Sequence, residues 1–139
     1  MIELLIVCAL LTILLALALP NLTSSKRAAR EQTAKGKLAA IGAQETSFKT
    51  LLGKRRYGTL SELQATTAGG SPLLTAADTS VPEWTFADVG AATTTFGVKV
   101  EPASGNTADY SFAIFEDQVV RRCARSGPWS KTDCTQINE

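Results

Sequence analysis

Four patterns of apolar and polar positions succeed one another along the chain, and each predicts a different element. In the first, Leu4 to Leu19 (LLIVCALLTILLALAL), every residue but Thr12 is apolar. A helix without a polar face needs apolar surroundings on every side. Sixteen such residues cover about 24 Å at the helical rise, and Met1 and Ile2 bring the run close to the ~30 Å of a bilayer core. A secretory signal, a membrane span and a buried core helix compete for this run. The only nearby charge is acidic, Glu3, and Ala18-Leu19-Pro20-Asn21 offers no small-x-small cleavage site, which disfavours a removed signal. A core helix would need more protein around it than one small domain supplies. The run therefore reads as a membrane span or interfacial anchor.

The second pattern is amphipathic. From Asn21 to Leu52 there is no Pro and many Ala, Lys, Arg, Gln and Leu, all good helix formers. Ala34, Leu38, Ile41, Glu45, Phe48 and Leu52 recur at alternating steps of four and three, which sets them on one helix face. Glu45 is expected at the edge of that stripe. Gly36 and Gly42 are mild breakers within it, and Gly53 and Gly58 mark its end. Pro20 has no N–H to offer Ala16, so a kink or a locally unwound stretch is expected between Thr12 and Pro20. The two halves together predict one helix of about 50 residues, or about 75 Å.

Residues 57–82 mix Gly, Ser, Thr and Ala around Gly69-Gly70 and Pro72, the signature of a connecting loop in which Ser61 to Leu63 forms one helical turn and nothing longer. From Trp84 onward the period becomes two. Trp84, Phe86 and Val89 alternate with other residues, then Phe96, Val98 and Val100, then Tyr110, Phe112 and Ile114, then Val119, Arg121 and Cys123. Glu116-Asp117 makes a hairpin turn, and Gly105-Asn106 lies in a looser one. Short connections imply antiparallel pairing, so the prediction is a four-stranded antiparallel meander with one apolar face. The amphipathic half of the long helix supplies the matching stripe, giving an α+β fold.

Composition and charge narrow the chemistry. The 139 residues include no His, which excludes Ser-His-Asp and Cys-His catalysis and every histidine-ligated metal site. Three Cys are too few for a thiolate zinc site on their own. With no nucleophile beside a base, no phosphate loop and no ligand cluster, neither an enzyme nor a cofactor is expected. The net charge of +1 hides opposed blocks: residues 26 to 56 carry nine basic groups against Glu31 and Glu45, and from Tyr57 onward ten acids face five bases. Such a dipolar map suits self-association of staggered copies, and equally a basic helix face beside anionic lipid. Nucleic acid is a third possible partner of the basic block, but no aromatic residues interleave its charges.

Cys123 and Cys134 lie eleven residues apart with Gly127-Pro128 between them to turn the chain, so a disulfide is expected there, worth about 2 to 3 kcal/mol. Two free thiols are the alternative. Cys8, inside the apolar run, reads as a small hydrophobe. A disulfide places the head in an exported compartment. The basic block after the anchor then conflicts with the positive-inside rule, which a basic leader removed during maturation would resolve.

Met1-Ile2-Glu3-Leu4-Leu5-Ile6-Val7 and the closing Leu19-Pro20-Asn21-Leu22 resemble the N-terminal signature of type IV pilins and type II secretion pseudopilins. Tyr57-Gly58-Thr59-Leu60 resembles the Tyr-containing turn that follows the pilin helix. The resemblance implies a major pilin that polymerises through its N-terminal helix into an extracellular filament of identical subunits. It implies residence in a bacterial inner membrane before assembly, with an assembly machinery and a prepilin peptidase as partners. Glu3 matches the glutamate that meets a neighbouring subunit's N-terminal amine, and Pro20 the proline beside the segment that unwinds on assembly. The family's N-methylated Phe and basic leader have no counterpart here, and Thr12 stands where a helix-weakening Gly is common. A minor pilin, a pseudopilin or an anchored periplasmic binding protein are the alternatives; the lack of a calcium-type aspartate cluster favours a pilin. On this reading residues 1–25 are the anchor and polymerisation half. Residues 26–139 are the head: helix 26–53, loop 54–82, sheet 83–125 and disulfide region 123–139.

Overall fold

The computed structural model describes residues 2–50, 55–103, 108, 110–125 and 129–137, with the side chains of 15–21 outside the described set. The fold is α+β. Helix α1 runs Ile2–Thr50, so the predicted length of about 50 residues holds, and its backbone stays helical through Pro20. Helix α2 (Leu60–Ala65) and a small hairpin of β1 (Thr67–Ala68) and β2 (Ser71–Pro72) follow. Then come β3 (Trp84–Ala91), β4 (Phe96–Pro102), β5 (Tyr110–Phe115), β6 (Val120–Ala124) and β7 (Thr135–Gln136). The chain divides into two compact units, Met1–Gln32 and Thr33–Glu139.

The main sheet has five antiparallel strands in the order β3-β4-β5-β6-β7, one more than the predicted meander of four. The extra strand is two residues long and has no apolar alternation, so nothing in its own sequence marks it. It pairs Arg121 with Gln136 and Arg122 with Thr135, immediately after the Cys123–Cys134 bond brings the tail beside β6. The 57–82 stretch is likewise more ordered than a loop. Thr59 caps α2 through its hydroxyl while Glu62 reaches back to the Thr59 N–H, a reciprocal capping box that extends the expected single turn to six residues.

The apolar stripe of α1 packs where the pattern put it. Ala34, Leu38, Ile41 and Phe48 are buried, and they share a core with Trp84, Val98, Val100, Phe112 and Ile114 of the sheet; Leu52 lies outside the described residues. Helix and sheet approach closely at Gly42. A Cβ there would sit 2.6 Å from both Ile114 Cδ1 and Gln118 Oε1, so the expected breaker is a packing residue. Glu45, expected at the stripe's edge, is instead fully buried within it. The position follows from periodicity alone, since the residue four after Ile41 points the same way whatever its polarity.

The sheet buries both faces, not one. Phe112 and Ile114 of β5 face α1, while Ala113 and Phe115 join Cys123 and Cys134 in a second cluster on the other side. The tail covers that far face, with Trp129 packed against the cluster. The Glu116-Asp117 turn forms as predicted, with Gln118 N–H bonded to the Phe115 carbonyl at 3.0 Å. Gly105-Asn106 and Gly127-Pro128 fall outside the described residues.

Candidate assembly surface

In the unit Met1–Gln32 the described part of the apolar run is exposed. Ile2, Leu4, Leu5, Ile6, Val7, Leu10, Leu11, Ile13 and Leu14 are each 53 to 72% exposed. Because Leu4, Leu5, Ile6 and Val7 are successive, they point around the whole circumference of the helix rather than along one stripe. Fully covering one such side chain is worth about 1.5 to 3 kcal/mol, so a surface of this kind marks a site of contact with protein or lipid. Among the described residues no helix is long and apolar enough to cross a membrane. The last part of the apolar run, residues 15–21, has no described side chains.

Two polar groups interrupt this surface, and they differ. The Thr12 hydroxyl donates back to the carbonyls of Cys8 at 3.0 Å and Ala9 at 2.8 Å, so its polarity is satisfied inside the helix. Glu3 sits exposed in the first turn, where a carboxylate complements the positive end of the helix dipole. One turn along it are Ile6 and Val7. A partner that covered these apolar neighbours would also desolvate Glu3, and an unpaired buried carboxylate is costly, so such a partner would have to offer it a positive group or a proton. Pro20 lies seventeen residues from Glu3, about 25 Å along the axis, so the two do not form one site. Its backbone is helical, and its side chain is outside the described set.

The remaining predicted pair is formed. Cys123 and Cys134 are disulfide-bonded and buried, with Cα atoms 4.5 Å apart, and Cys8 is an exposed free thiol. Around the disulfide the tail is tied by charge. Arg121, almost fully buried, pairs with Asp117, and Lys131 bridges Glu116 at 3.1 Å and Asp117 at 3.2 Å. Burial opposes ionisation of Asp117, but Arg121, Lys131 and the Val119 N–H outweigh it and hold the carboxyl below its ordinary value. A groove of about 410 Å³ opens beside this network, floored by Gly97 and Phe115 and rimmed by Val89 and Lys131.

Sequence reasoning missed a second constellation, at the end of α1. Glu45, Glu62 and Asp88 come from three elements and each accepts a backbone N–H, from Gly58, Thr59 and Leu60 respectively. The Thr59-x-x-Glu62 spacing is a legible capping signal; Asp88 on a strand carries none. Among the described residues no group of three or more acidic or Cys side chains is placed to hold a metal ion. No protein-family model and no curated protein sequence matches the chain.

Proposed function

We propose that the chain is a structural subunit that polymerises through the apolar half of α1 into an extracellular filament of identical copies, in the manner of a type IV pilin. The observation that carries this reading is the ring of more than half-exposed apolar side chains from Ile2 to Leu14 with one carboxylate, Glu3, among them. A membrane alone accounts for the apolar ring, but an acid at its rim selects a partner with a matching cation. An N-terminal ammonium of an adjacent copy is such a group, and pairing with it fixes the register between helices. Before assembly the same surface rests in the inner membrane, with Glu3 at the headgroup level. The chain performs no chemistry in this role; the export and processing machinery acts on it.

The test is Glu3→Ala in the full chain, expressed in a cell that assembles it, with sheared surface material viewed by electron microscopy. The variant is expected to give few or no fibres while its head keeps its disulfide and its fold by near-UV circular dichroism. Normal fibres in normal amounts would overturn the assembly role of Glu3. Mass spectrometry of the main band from wild-type fibres separates a major subunit from a minor one, because a minor subunit is present only in trace.

A further inference from the structure

Gly58, Thr59 and Leu60, leading into α2, are held by three consecutive amides on three carboxylates. Gly58 N–H donates to Glu45 Oε2 on α1 at 2.9 Å, Thr59 N–H to Glu62 Oε2 on α2 at 3.0 Å, and Leu60 N–H to Asp88 Oδ1 on β3 at 3.1 Å. Just before them Tyr57 is a separate anchor. Its N–H donates to the Ala92 carbonyl at 3.0 Å, its ring lies 4.8 Å from that of Phe96, and Lys49 Nζ sits 4.1 Å above it. Gly58 reaches Glu45 only because it has no side chain: a Cβ there would stand 2.7 Å from Leu63 Cδ1 and 3.2 Å from the Phe48 ring.

The three carboxylates are not equivalent. Glu62 is partly exposed and forked by Arg56 at 2.5 and 2.9 Å. Asp88 is turned to the Leu60 N–H with both oxygens, at 3.1 and 3.3 Å. Glu45 is fully buried, and among the described residues its Oε1 has no hydrogen-bond partner. An ionised carboxylate with one oxygen desolvated and unpaired is costly. The charges facing it make matters worse: Asp88 from β3 and Glu62 from α2 repel it, and Arg56 from the connecting segment offsets them only in part. Lys49, on its own helix, is placed over Tyr57, and Lys99 of β4 stands over Trp129 at the far face. A protonated Glu45 avoids the penalty and still accepts the Gly58 N–H through its carbonyl oxygen.

We propose that Glu45 is a proton-operated latch: protonated, it holds Gly58–Leu60 and the start of α2 against α1, and ionised, it releases them while Tyr57 stays seated as the hinge. Burial, reinforced by Asp88 and Glu62 and opposed by the Gly58 N–H and Arg56, pushes the Glu45 carboxyl from 4.5 up to about 7, so the latch operates between mildly acidic and neutral pH. Release exposes Glu45 to water, where its ordinary value returns. The open form is therefore favoured as pH rises from 4.5 to about 7, and the effect levels off over roughly the next pH unit. This device does not depend on the assembly role of the apolar half of α1.

Residue-resolved amide hydrogen exchange on the full chain in detergent micelles, corrected for intrinsic rates, tests it. Protection at Gly58, Thr59 and Leu60 is expected to fall about 40-fold between pH 5 and pH 7, the ratio set by values of 4.5 and about 7, and then to level off, with Tyr57 little changed. Glu45→Gln should hold the same amides protected up to pH 8, and Asp88→Asn should keep the pH step. A flat wild-type profile, an unchanged step in Glu45→Gln, or loss of the step in Asp88→Asn would each overturn the assignment. If Glu45→Gln does not fold, a carbon-13 titration of the wild-type Glu45 carboxyl decides: a midpoint near 7 supports the latch, and one near 4.5 removes it.

Discussion

Leu10 and Leu38 are the same residue on the same helix, yet Leu10 is 57% exposed and Leu38 is fully buried. Helix propensity does not separate them, and neither does hydrophobicity. What differs is the pattern around them. Leu38 belongs to a stripe that recurs every three or four residues and meets one sheet, so the chain covers it with its own atoms. Leu10 belongs to a run that is apolar all round, and a single sheet covers one side of a helix at most. A stripe thus specifies an intramolecular partner and a ring specifies an external one. The contrast gives the second half of α1 to the head's core, and on the proposed function it leaves the first half for association.

The sharpest way to break this contrast is to remove the buried leucine. Leu38→Ala should cost the head about 2 to 5 kcal/mol, the range for deleting a fully packed side chain without collapse of the cavity. Denaturant unfolding of the full chain in micelles, followed by near-UV circular dichroism, measures it. A loss under about 1 kcal/mol would mean that the stripe does not carry the head. Next in size is the far face of the sheet. Closing an eleven-residue separation stabilises by about 3 kcal/mol on the chain-entropy account, so Cys134→Ser or reduction should lower stability by that much. Mass mapping should find Cys123 bonded to Cys134 and Cys8 free; a Cys8–Cys123 bond would contradict the arrangement.

A smaller effect probes the polar member of the stripe. The folded value of Glu45 lies above its ordinary 4.5, so folding favours the protonated form. Its contribution is complete below pH 4.5 and is lost as pH rises to about 7. Burial raises Asp88 as well, which gives a loss of the same sign starting from a lower pH. Asp78 and Asp117, held below 3.8, act oppositely: their stabilisation is present above 3.8 and disappears as the pH falls further. Head stability should therefore peak near pH 4 and decline by about 2 kcal/mol between pH 5 and pH 7. Urea midpoints across that range check it. Rising stability from pH 5 to pH 7 would show that Glu45 ionises without strain.

Most of the architecture was legible because periodicity reports geometry directly. The stripe from Ala34 to Phe48 and the alternations from Trp84 to Cys123 gave α1 and four strands at their observed places. The parts that escaped are those imposed by contact rather than by pattern. β7 exists because a covalent bond at Cys134 delivers Thr135 to β6, and the burial of the far sheet face follows from the same closure. Glu45 was legible in position but not in environment. A helical period says which way a side chain points, and only the Gly58 turn, which brings an N–H to 2.9 Å, explains how a carboxyl is tolerated there. Asp88 was invisible, since its role depends on a register between β3 and the start of α2.

The smallest expected effect on folding is at the other leucine. Leu10→Ala removes an apolar side chain that is more than half exposed and does not belong to the head's core, so head stability should change by less than about 0.5 kcal/mol. Alanine is also the better helix former, which offsets the little packing that the leucine side chain makes along α1. On the proposed function association should respond differently, because the truncated methylenes would be part of the surface that a neighbouring helix or lipid covers, at about 0.8 kcal/mol for each CH₂ buried. One such change is modest, but the proposed filament would repeat it in every subunit. Fibre yield from Leu10→Ala should therefore fall while the denaturation curve of the head overlays that of wild type. If the curve shifts as far as that of Leu38→Ala, Leu10 has a covering partner within its own chain, and the division of α1 into a folding half and an association half is wrong.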